Sequence, residues 1–279
     1  MDDTLIARKY RVVSKIGRGS FGQVYKGVSS KNGAPVAIKV DTQGSMLKHE
    51  TTILKYLYDA SCRQIPAVYW YGQIGAHVGL VMSYYDGSLL DYLHSKPLTD
   101  SKLNNIIVQY IQILESIHKQ FVIHRDIKPQ NCMIKQGELF LVDFGMATFY
   151  IDEDQHHVSD ATDADTIIGS PKYLSYYVHR AHSPSRRDDM ISLGYMYLFL
   201  LHHRLPWENL DDDPDEELSE LYILNGKNQR RMLLKEWATL APQCREVGPS
   251  FEAYMRVCYA LDYDEQPNYH SCVQFFYHT

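Results

Sequence analysis

The residues with the clearest chemical potential in this chain form an eight-residue motif, HRDIKPQN, at 124–131. A second acidic motif, DFG, follows at 143–145. Two carboxylates and a carboxamide in this order can provide a base for a hydroxyl group and oxygen ligands for magnesium, which prefers carboxylate, amide, water and phosphate oxygens. The pattern therefore predicts chemistry on a phosphate group, carried by Asp126, Asn131 and Asp143.

A glycine-rich motif, GRGSFGQV, lies at 17–24. Because glycine has no Cβ atom, such a segment can fold tightly over phosphates and present its backbone amides to them. The motif alone also fits an ordinary turn and several nucleotide-binding folds. Its predicted context is strand-turn-strand and not the strand-turn-helix of a dinucleotide fold, which disfavours NAD as the ligand.

A lysine in an apolar strand is the third chemical feature. Lys39 ends the motif VAIK, and a half-buried lysine needs an anion or a carboxylate close by. Glu50 on the next predicted helix is the best partner, because it shares an inward face with Ile53 and Leu57. Considered without the other motifs, Lys39 is better explained as a surface lysine whose amine reaches solvent.

Composition limits the class of protein. The chain has 279 residues, of which 45% are hydrophobic and 22% charged, as in an ordinary globular protein. The longest apolar run, near 190–201, is well short of the roughly 20 residues of a membrane-spanning helix, and the N-terminus does not resemble a secretory signal. The net charge of −6 disfavours a nucleic-acid-coating protein. We therefore expect an intracellular protein, cytoplasmic or nuclear.

The hydrophobic pattern predicts an α+β protein. Strands are predicted at 10–17, 22–30, 34–40, 67–72 and 77–83, and one helix from about Ser45. Short strands are predicted at 132–134 and 139–142, and helices at 88–95, 100–120, 188–203, 230–240, 251–261 and 268–276. The small lobe, 1–85, is thus rich in strands and the larger lobe, 86–279, is mainly helical. The five cysteines contain no CxxC pair and are expected to be buried reduced thiols.

Taken together, the motifs resemble those of the eukaryotic protein kinases over nearly the whole chain. A finer resemblance is to casein kinase I. Its marks are GSPKYLS at 169–175 in place of an Ala-Pro-Glu motif, SRRDDMISLGY at 185–195, and LPW at 205–207. The resemblance implies a bilobal protein-kinase fold and a single catalytic domain over 1–279.

The resemblance also implies an activity. It is that of a serine/threonine protein kinase, which transfers the γ-phosphoryl of ATP to hydroxyl groups of protein substrates with Mg²⁺ as metal ion. Acidic or already phosphorylated substrates are expected. A monomer is expected, without a nucleic-acid or membrane partner.

The resemblance assigns roles to individual residues. Asp126 would accept the substrate hydroxyl proton, Lys128 would neutralise charge on the transferred group, and Asn131 and Asp143 would hold the metal. Met82 would lie at the back of the adenine pocket, before a hinge at 83–85, and Asp189 would anchor the loop that carries Asp126. The residues expected at the nucleotide are Ile16, Gly17, Gly19, Ser20, Gly22, Val24, Ala37, Lys39, Glu50 and Met82.

Several features leave alternatives open. Gln130 and Cys132 replace the Asp and Phe usual in the family, at positions that hold neither metal nor substrate. An acidic run at 211–217 stands where relatives tend to be basic, which puts the substrate preference in doubt. Positive charge near an anion site can instead come from Lys172, Lys227, Arg230 and Arg231, and the alternative is that these residues are an ordinary solvated charge cluster.

Two other functional classes compete with an active protein kinase. A pseudokinase or scaffold would be favoured by loss of Lys39, Asp126 or Asp143, and all three are present. Small-molecule phosphotransferases of kinase-like fold usually lack a segment as long as 146–177. Specificity for tyrosine is disfavoured by Lys128. The short connection from Lys39 to Glu50 predicts a site that is assembled without activation.

Overall fold

A computed structural model describes residues 5–19, 22–41, 44–95, 98–162, 166–208 and 226–277. Ser20 and the acidic run at 211–217 lie outside the described residues. The chain divides into two compact units. The first comprises Met1–Ser88 and Cys132–Ala147, and the second comprises Leu89–Asn131 and Thr148–Thr279.

The first unit contains an antiparallel sheet of five strands in the order β1-β2-β3-β5-β4. The strands are β1 Tyr10–Gly19, β2 Gly22–Ser29, β3 Pro35–Asp41, β4 Val68–Ile74 and β5 His77–Ser83. All five predicted strands are confirmed to within two residues at each end. The β2–β3 turn contains Gly33 at a φ of 69°, a left-handed conformation that glycine adopts without strain.

The register of the sheet separates two faces. Lys39 pairs with Val24 on β2 and with Leu80 on β5, and Ala37 pairs with Met82. Because successive side chains of a strand point to opposite faces, Lys39 and Ala37 share one face. On the other face, Val36, Ile38, Val81 and Ile6 form a buried apolar cluster. The cluster fixes the strand alternation and hence the face on which Lys39 lies.

A single helix accompanies the sheet. Helix α1, Ser45–Asp59, begins at the predicted residue and buries Leu47, Glu50, Ile53, Leu54 and Leu57. These positions recur at intervals of three and four residues, which is the spacing of one helix face. Glu50 therefore lies on the buried face of α1 although it is charged.

A later hairpin completes the first unit. Strands β7, Cys132–Lys135, and β8, Glu138–Leu141, pair with each other. The backbone N–H of Leu141 donates to the Gln64 carbonyl at 3.0 Å, and that of Ile134 donates to the Gly87 carbonyl at 3.3 Å. These hydrogen bonds explain why 132–147 groups with the first unit, although the predicted small lobe ended at residue 85.

The second unit is mainly helical, as predicted. Its helices are α2 Leu89–Ser95, α3 Asp100–His118, α4 Tyr176–His179, α5 Arg186–His202, α6 Gly226–Lys235, α7 Trp237–Val247, α8 Pro249–Ala260 and α9 Tyr269–Tyr277. Strands β6, Val122–Ile123, and β9, Thr148–Phe149, form a short pair. All five cysteines are free and buried, which confirms that prediction.

One helix prediction is wrong. A single helix was predicted over 230–240, but two helices meet there at Glu236, whose ψ of 136° is not helical. Pro242 lies inside α7, where it cannot donate a backbone hydrogen bond. The sequence around Glu236 contains neither glycine nor proline, so the break gives no local signal. No helix in the described part of the chain has the length and apolar character needed to span a membrane.

Candidate active site

The first unit brings one cation and two carboxylates together. Lys39 Nζ lies 2.6 Å from Glu50 Oε1 and 2.9 Å from Asp143 Oδ1. Glu50 is 1% exposed, and the side chains of Lys39 and Asp143 are 13% and 18% exposed. The predicted pairing of Lys39 with Glu50 is confirmed. Asp143 joins the pair because the hairpin β7–β8 returns the chain to the first unit.

Burial and charge act in opposite directions on this cluster. Burial lowers the pKa of Lys39, but the charges of Glu50 and Asp143 outweigh burial, and the pKa is raised above its ordinary value. Burial raises the pKa of Glu50 more than Lys39 lowers it. Lys39 is therefore a fixed positive charge, still partly accessible, beside a more exposed carboxylate.

The DFG motif has an unusual backbone. Asp143 has a φ of 67°, and Phe144 next to it is fully buried. After the motif, the carbonyl of Ala147 lies 2.7 Å from His49 Nε2 on α1. The buried Phe144 ring and the contact with α1 hold the carboxylate of Asp143 at Lys39.

The glycine-rich motif forms the adjoining ends of β1 and β2. Gly19 pairs with Gly22, and Gly17 pairs with Val24. Gly22 has a φ of 154°, and a Cβ atom there would lie 2.3 Å from the Val40 carbonyl oxygen. Only glycine fits this position without movement of the backbone. Ile16 is 48% exposed at an irregularity in the strand register.

The predicted hinge is held by the edge of the sheet. Met82 is buried and pairs across the sheet with Ala37, and both residues were expected at the nucleotide. Ser83 exchanges two hydrogen bonds with the backbone of Ala67, at 3.0 and 3.1 Å. The ring of Tyr85 packs 4.8 Å from that of Phe140 on β8. The structure thus brings together Ala37, Met82 and the start of the hinge.

The second unit contains the other half of the predicted catalytic residues. Asp126 is 5% exposed, and its carboxylate accepts two hydrogen bonds and forms an ion pair with a lysine. Lys128 Nζ lies 2.7 Å from Oδ2, Asn131 Nδ2 lies 2.9 Å from the same oxygen, and the backbone N–H of Ser170 donates to Oδ1 at 3.0 Å. The carboxylate therefore has a fixed orientation. Lys128 also donates to Ser170 Oγ at 2.8 Å.

Asn131 presents its oxygen away from these contacts. Its Nδ2 donates both to the Asp126 carbonyl and to the Asp126 carboxylate, each at 2.9 Å. Only the nitrogen of a carboxamide can donate, so these contacts determine the orientation of the amide. Oδ1 is then the atom of this side chain that can coordinate a metal ion. The side chain is buried, at 5% exposure.

Asp189 on α5 holds the loop that carries Asp126. Its two oxygens accept the backbone N–H groups of His124, at 2.8 Å, and Arg125, at 2.9 Å. His118 Nε2 lies 3.0 Å from the same carboxylate. Burial raises the pKa of Asp189, but the hydrogen bonds and electrostatic interactions with His118 and His124 lower it below its usual value overall. The predicted anchoring role of Asp189 is confirmed.

The segment after residue 168 contacts the same loop. Gly169 has a φ of 112°, and a Cβ atom there would lie 2.4 Å from the Arg125 carbonyl oxygen. Two residues after Ser170, Lys172 forms an ion pair with Glu208, and Trp207 Nε1 donates to the Lys172 carbonyl at 2.7 Å. The segment is thus packed on the loop at one end and on 207–208 at the other.

The basic residues proposed to restore positive charge have different surroundings. Lys227 and Arg231 are buried, at 5% and 2% exposure, whereas Arg230 is exposed. Arg231 donates to Asn228 Oδ1 at 3.1 Å. Of the four candidates, Lys172 and Arg230 keep appreciable exposure, and Lys172 already has a carboxylate partner.

Two residues of the site were missed by the sequence analysis. Ser170 was noted only as part of the motif at 169–175, not as a partner of Asp126, and Lys235 was not noted at all. Lys235 is fully buried and contacts the segment that follows Ser170. The motif at 169–175 did not indicate a contact between Ser170 and Asp126, and Lys235 belongs to no motif, so sequence offered no signal for these contacts.

The fold and the two groups of side chains are those of a protein kinase. The chain belongs to the protein kinase family, because the model of that family, described as protein kinase domain, matches residues 10–277. Within the family it is similar to casein kinase I proteins, in agreement with the resemblance of the motifs at 169–175 and 185–195.

Three of the similar proteins are yeast casein kinase I homologs. Casein kinase I homolog 1 of Saccharomyces cerevisiae is 30% identical over 279 residues, covering 96% of this chain and 50% of the relative. Casein kinase I homolog 2 of the same yeast is also 30% identical, with 49% of its length covered. Casein kinase I homolog 3 of Schizosaccharomyces pombe is 32% identical over 271 residues, covering 93% of this chain and 59% of the relative. The chain thus spans about half the length of these relatives, from 49% to 59%.

Proposed function

We propose that this chain is a serine/threonine protein kinase that transfers the γ-phosphoryl group of ATP to hydroxyl groups of proteins. The observation that carries the proposal is the environment of Asp126, whose carboxylate is oriented by Lys128, Asn131 and Ser170. An oriented carboxylate beside a lysine suits acceptance of a hydroxyl proton and stabilisation of charge on a transferred phosphoryl group.

Each unit contributes defined groups to the proposed reaction. In the first unit, Glu50 holds Lys39, whose positive charge would bind the α and β phosphates. Gly17, Gly19 and Gly22 would form the turn that covers the phosphates. In the second unit, Asp126 accepts the substrate proton while Lys128 offsets negative charge on the transferred group. The acceleration comes from positioning and electrostatics, since phosphoryl transfer of this kind needs little covalent chemistry from the protein.

Mg²⁺ is the metal that these side chains suit. Asp143 presents a partly exposed carboxylate and Asn131 a carboxamide oxygen, and both are hard oxygen donors. When bound, the ion neutralises charge on the phosphate oxygens. A pseudokinase is the alternative, but the catalytic positions Lys39, Asp126, Asn131 and Asp143 all keep their residue types.

The substrate preference depends on the surroundings of Lys172. A preference for acidic or phosphorylated substrates needs accessible positive charge near the transfer site. The carboxylate of Glu208 pairs with Lys172 and also accepts the backbone N–H of Leu205 at 2.8 Å, so it is held in place. We infer that Glu208 offsets the charge of Lys172 and weakens the preference for acidic substrates in this chain.

Peptide libraries test both levels of the proposal. Transfer of labelled γ-phosphate from Mg-ATP is measured on two serine peptide sets, one with phosphoserine or acidic residues before the target and one neutral. We expect labelling of both sets by the unmodified protein and a rise for the acidic set alone in Glu208→Gln. Asp143→Asn is the inactive control. ATP binding without labelling of either set would favour the pseudokinase.

That the protein acts as a monomer, in the cytoplasm or the nucleus, stays a prediction.

A further inference from the structure

Lys235, the last residue of α6, is a fully buried cation. Its Nζ donates to the backbone carbonyls of Pro171 at 2.9 Å, Lys172 at 3.3 Å and Leu174 at 2.7 Å. One ammonium group thus reaches three carbonyls within four consecutive residues.

The surroundings of Lys235 compensate for its burial. An ammonium has three N–H donors and loses much hydration energy in the interior, so it requires several acceptors. His179 Nε2 lies 3.1 Å away, and the rings of Trp207 and Tyr195 lie 4.7 and 5.0 Å from Nζ. Aromatic faces attract a cation and add to the effect of the carbonyls.

The residues held by Lys235 are joined directly to the catalytic loop. Residue 171 follows Ser170, whose backbone N–H donates to Asp126 and whose hydroxyl accepts from Lys128. The backbone N–H groups of Tyr173 and Leu174 both donate to the Ser170 carbonyl, at 2.9 and 3.1 Å. Ser170 is therefore the first residue of a small turn that Lys235 contacts on its other side.

We propose that Lys235 is a positioning residue for phosphoryl transfer. It holds the turn 170–174 so that Ser170 keeps the Asp126 carboxylate and the Lys128 ammonium in their reactive orientation. This inference rests on the proposed function, because its effect on rate requires that Asp126 and Lys128 act on substrate. Lys235 itself touches neither of these side chains in the contacts described above.

The shape of the ammonium explains why lysine suits this position. Three carbonyl oxygens converge on one nitrogen, which a tetrahedral ammonium can satisfy. Methionine fills similar volume but provides no donor. Arginine keeps the charge, but its planar guanidinium spreads its donors over three nitrogens and cannot converge on one point.

The test compares Lys235→Met and Lys235→Arg with Arg256→Met, a matched control at an exposed cation of α8 in the same unit. Steady-state kinetics with Mg-ATP and a serine peptide give kcat, and fluorescence titration with a non-hydrolysable ATP analogue gives Kd. We expect kcat to fall about 30-fold in Lys235→Met and about tenfold in Lys235→Arg, with Kd within about twofold. The control should match the unmodified protein.

Coupling to Ser170 separates positioning from general stabilisation. If Lys235 acts through the turn, the losses of kcat in Lys235→Met and Ser170→Ala are less than multiplicative in the double variant. If Lys235→Met does not fold, Lys235→Arg is used for the same comparison. A kcat within threefold of the unmodified protein in Lys235→Arg, or losses that multiply, would overturn the proposal.

Hydrogen exchange distinguishes failure of this inference from failure of the proposed function. The backbone amides of Tyr173 and Leu174 report on the turn without any need for activity. Faster exchange of these amides in Lys235→Arg, together with an unmodified protein that labels no peptide, would reject the kinase but keep the structural link. Unchanged exchange beside an active unmodified protein would reject the role of Lys235 alone.

Discussion

Glu50 is a buried carboxylate whose cation partner, Lys39, lies at 2.6 Å, and Asp143 is a more exposed carboxylate at 2.9 Å from the same nitrogen. The two acids therefore have different relations to Lys39. Glu50 fixes the lysine from the protein interior, whereas Asp143 has side-chain surface left for a ligand. Substitutions at the three positions should have different effects on stability and on activity.

Asp143→Asn should lower kcat at least about 100-fold, because a neutral amide cannot balance the charge of a metal ion at this position. The fold should be retained, since the amide oxygen can still accept from Lys39 and Glu50 keeps its partner. Kinetics with Mg-ATP and a thermal unfolding scan measure the two effects. Asp154→Asn, at an exposed acid, is the control and should change neither. Near-normal turnover in Asp143→Asn would contradict the assignment.

Lys39→Met should abolish transfer and also destabilise the protein by about 3 kcal/mol, because removal of one member of a buried ion pair leaves the other uncompensated. Lys39→Met with Glu50→Gln should recover part of this stability without recovering activity. The neutral glutamine no longer needs a cation. Urea denaturation of the single and double variants measures the difference. Equal stability of the two variants would show that Glu50 carries no charge penalty in the absence of Lys39.

Gly22→Ala should destabilise the protein by about 1 to 3 kcal/mol, since its backbone is left-handed and a Cβ atom would meet the Val40 carbonyl. Gly17→Ala is the matched comparison in the same motif, because nothing lies within 4 Å of a Cβ atom there. Its effect on unfolding should be small. Denaturant titration of both variants measures the free energy of unfolding. A larger loss of stability in Gly17→Ala than in Gly22→Ala would contradict the described backbone.

At the scale of elements, two buried titratable side chains lie at helix ends. Asp188 is in the first turn of α5, and His179, the last residue of α4, contacts Lys235 at the end of α6. Burial raises the pKa of Asp188, in the first turn of α5, to about 6, although Arg187 and the hydroxyl of Ser175 lower it. Burial lowers the pKa of His179 well below its usual value, and the charges of Lys235 and Arg231 lower it further. In both groups burial shifts the balance toward the neutral form relative to the unfolded chain.

These two groups should give opposite pH dependences of stability. An acid whose folded pKa is raised loses stability as pH rises from about 4 to 6, whereas a histidine whose folded pKa is lowered loses stability as pH falls below about 6.5. Relative to the unmodified protein, Asp188→Asn should therefore gain stability between pH 4 and 6. His179→Gln should gain stability as pH falls from 6.5. Urea denaturation at half-unit pH intervals measures the differences, and parallel curves would contradict both shifts.

At the scale of the whole molecule, the sequence predicted the elements better than their junctions. Strands and amphipathic helices follow from local periodicity, so the predictions of the five sheet strands and of the first residue of α1 were correct. Glu50 was found as the partner of Lys39 because it lies on a predicted buried face. The contacts of Ser170 with Asp126 and of Lys235 with Leu174 join residues 44 and 61 positions apart, and no local pattern encodes them.

The same limit applies to the position of the hairpin β7–β8 and to the break at Glu236. The hairpin was correctly predicted as two short strands, but the backbone bonds to Gln64 and Gly87 that assign it to the first unit depend on tertiary structure. Every residue type except proline carries the same backbone donor and acceptor, so the residue types give no sign of which backbone groups will pair. The break at Glu236 lacks glycine or proline, and thus the periodic pattern on either side was read as one helix.

Activity should not depend on phosphorylation of the segment 146–177. Part of this segment is already held by side chains, since the Asp160 carboxylate contacts His182 at 2.7 Å and accepts the backbone N–H of Ser183 at 3.0 Å. Phosphatase-treated protein should keep kcat within about twofold of the untreated protein. The treatment is checked by mass spectrometry. A large gain in kcat after phosphorylation of this segment would contradict the prediction.

The division of the chain also affects how the protein forms during synthesis. The first unit needs 132–147 as well as the residues up to 88, so Lys39 and Glu50 leave the ribosome long before Asp143, which lies 104 positions after Lys39. The first unit stays incomplete until the hairpin β7–β8 has been made, after residues 89–131 of the second unit. A fragment that stops at Ser88 would lack the backbone partners of Gln64 and Gly87. Expression of the first unit alone should therefore require both of its segments, 1–88 and 132–147, joined by a designed linker.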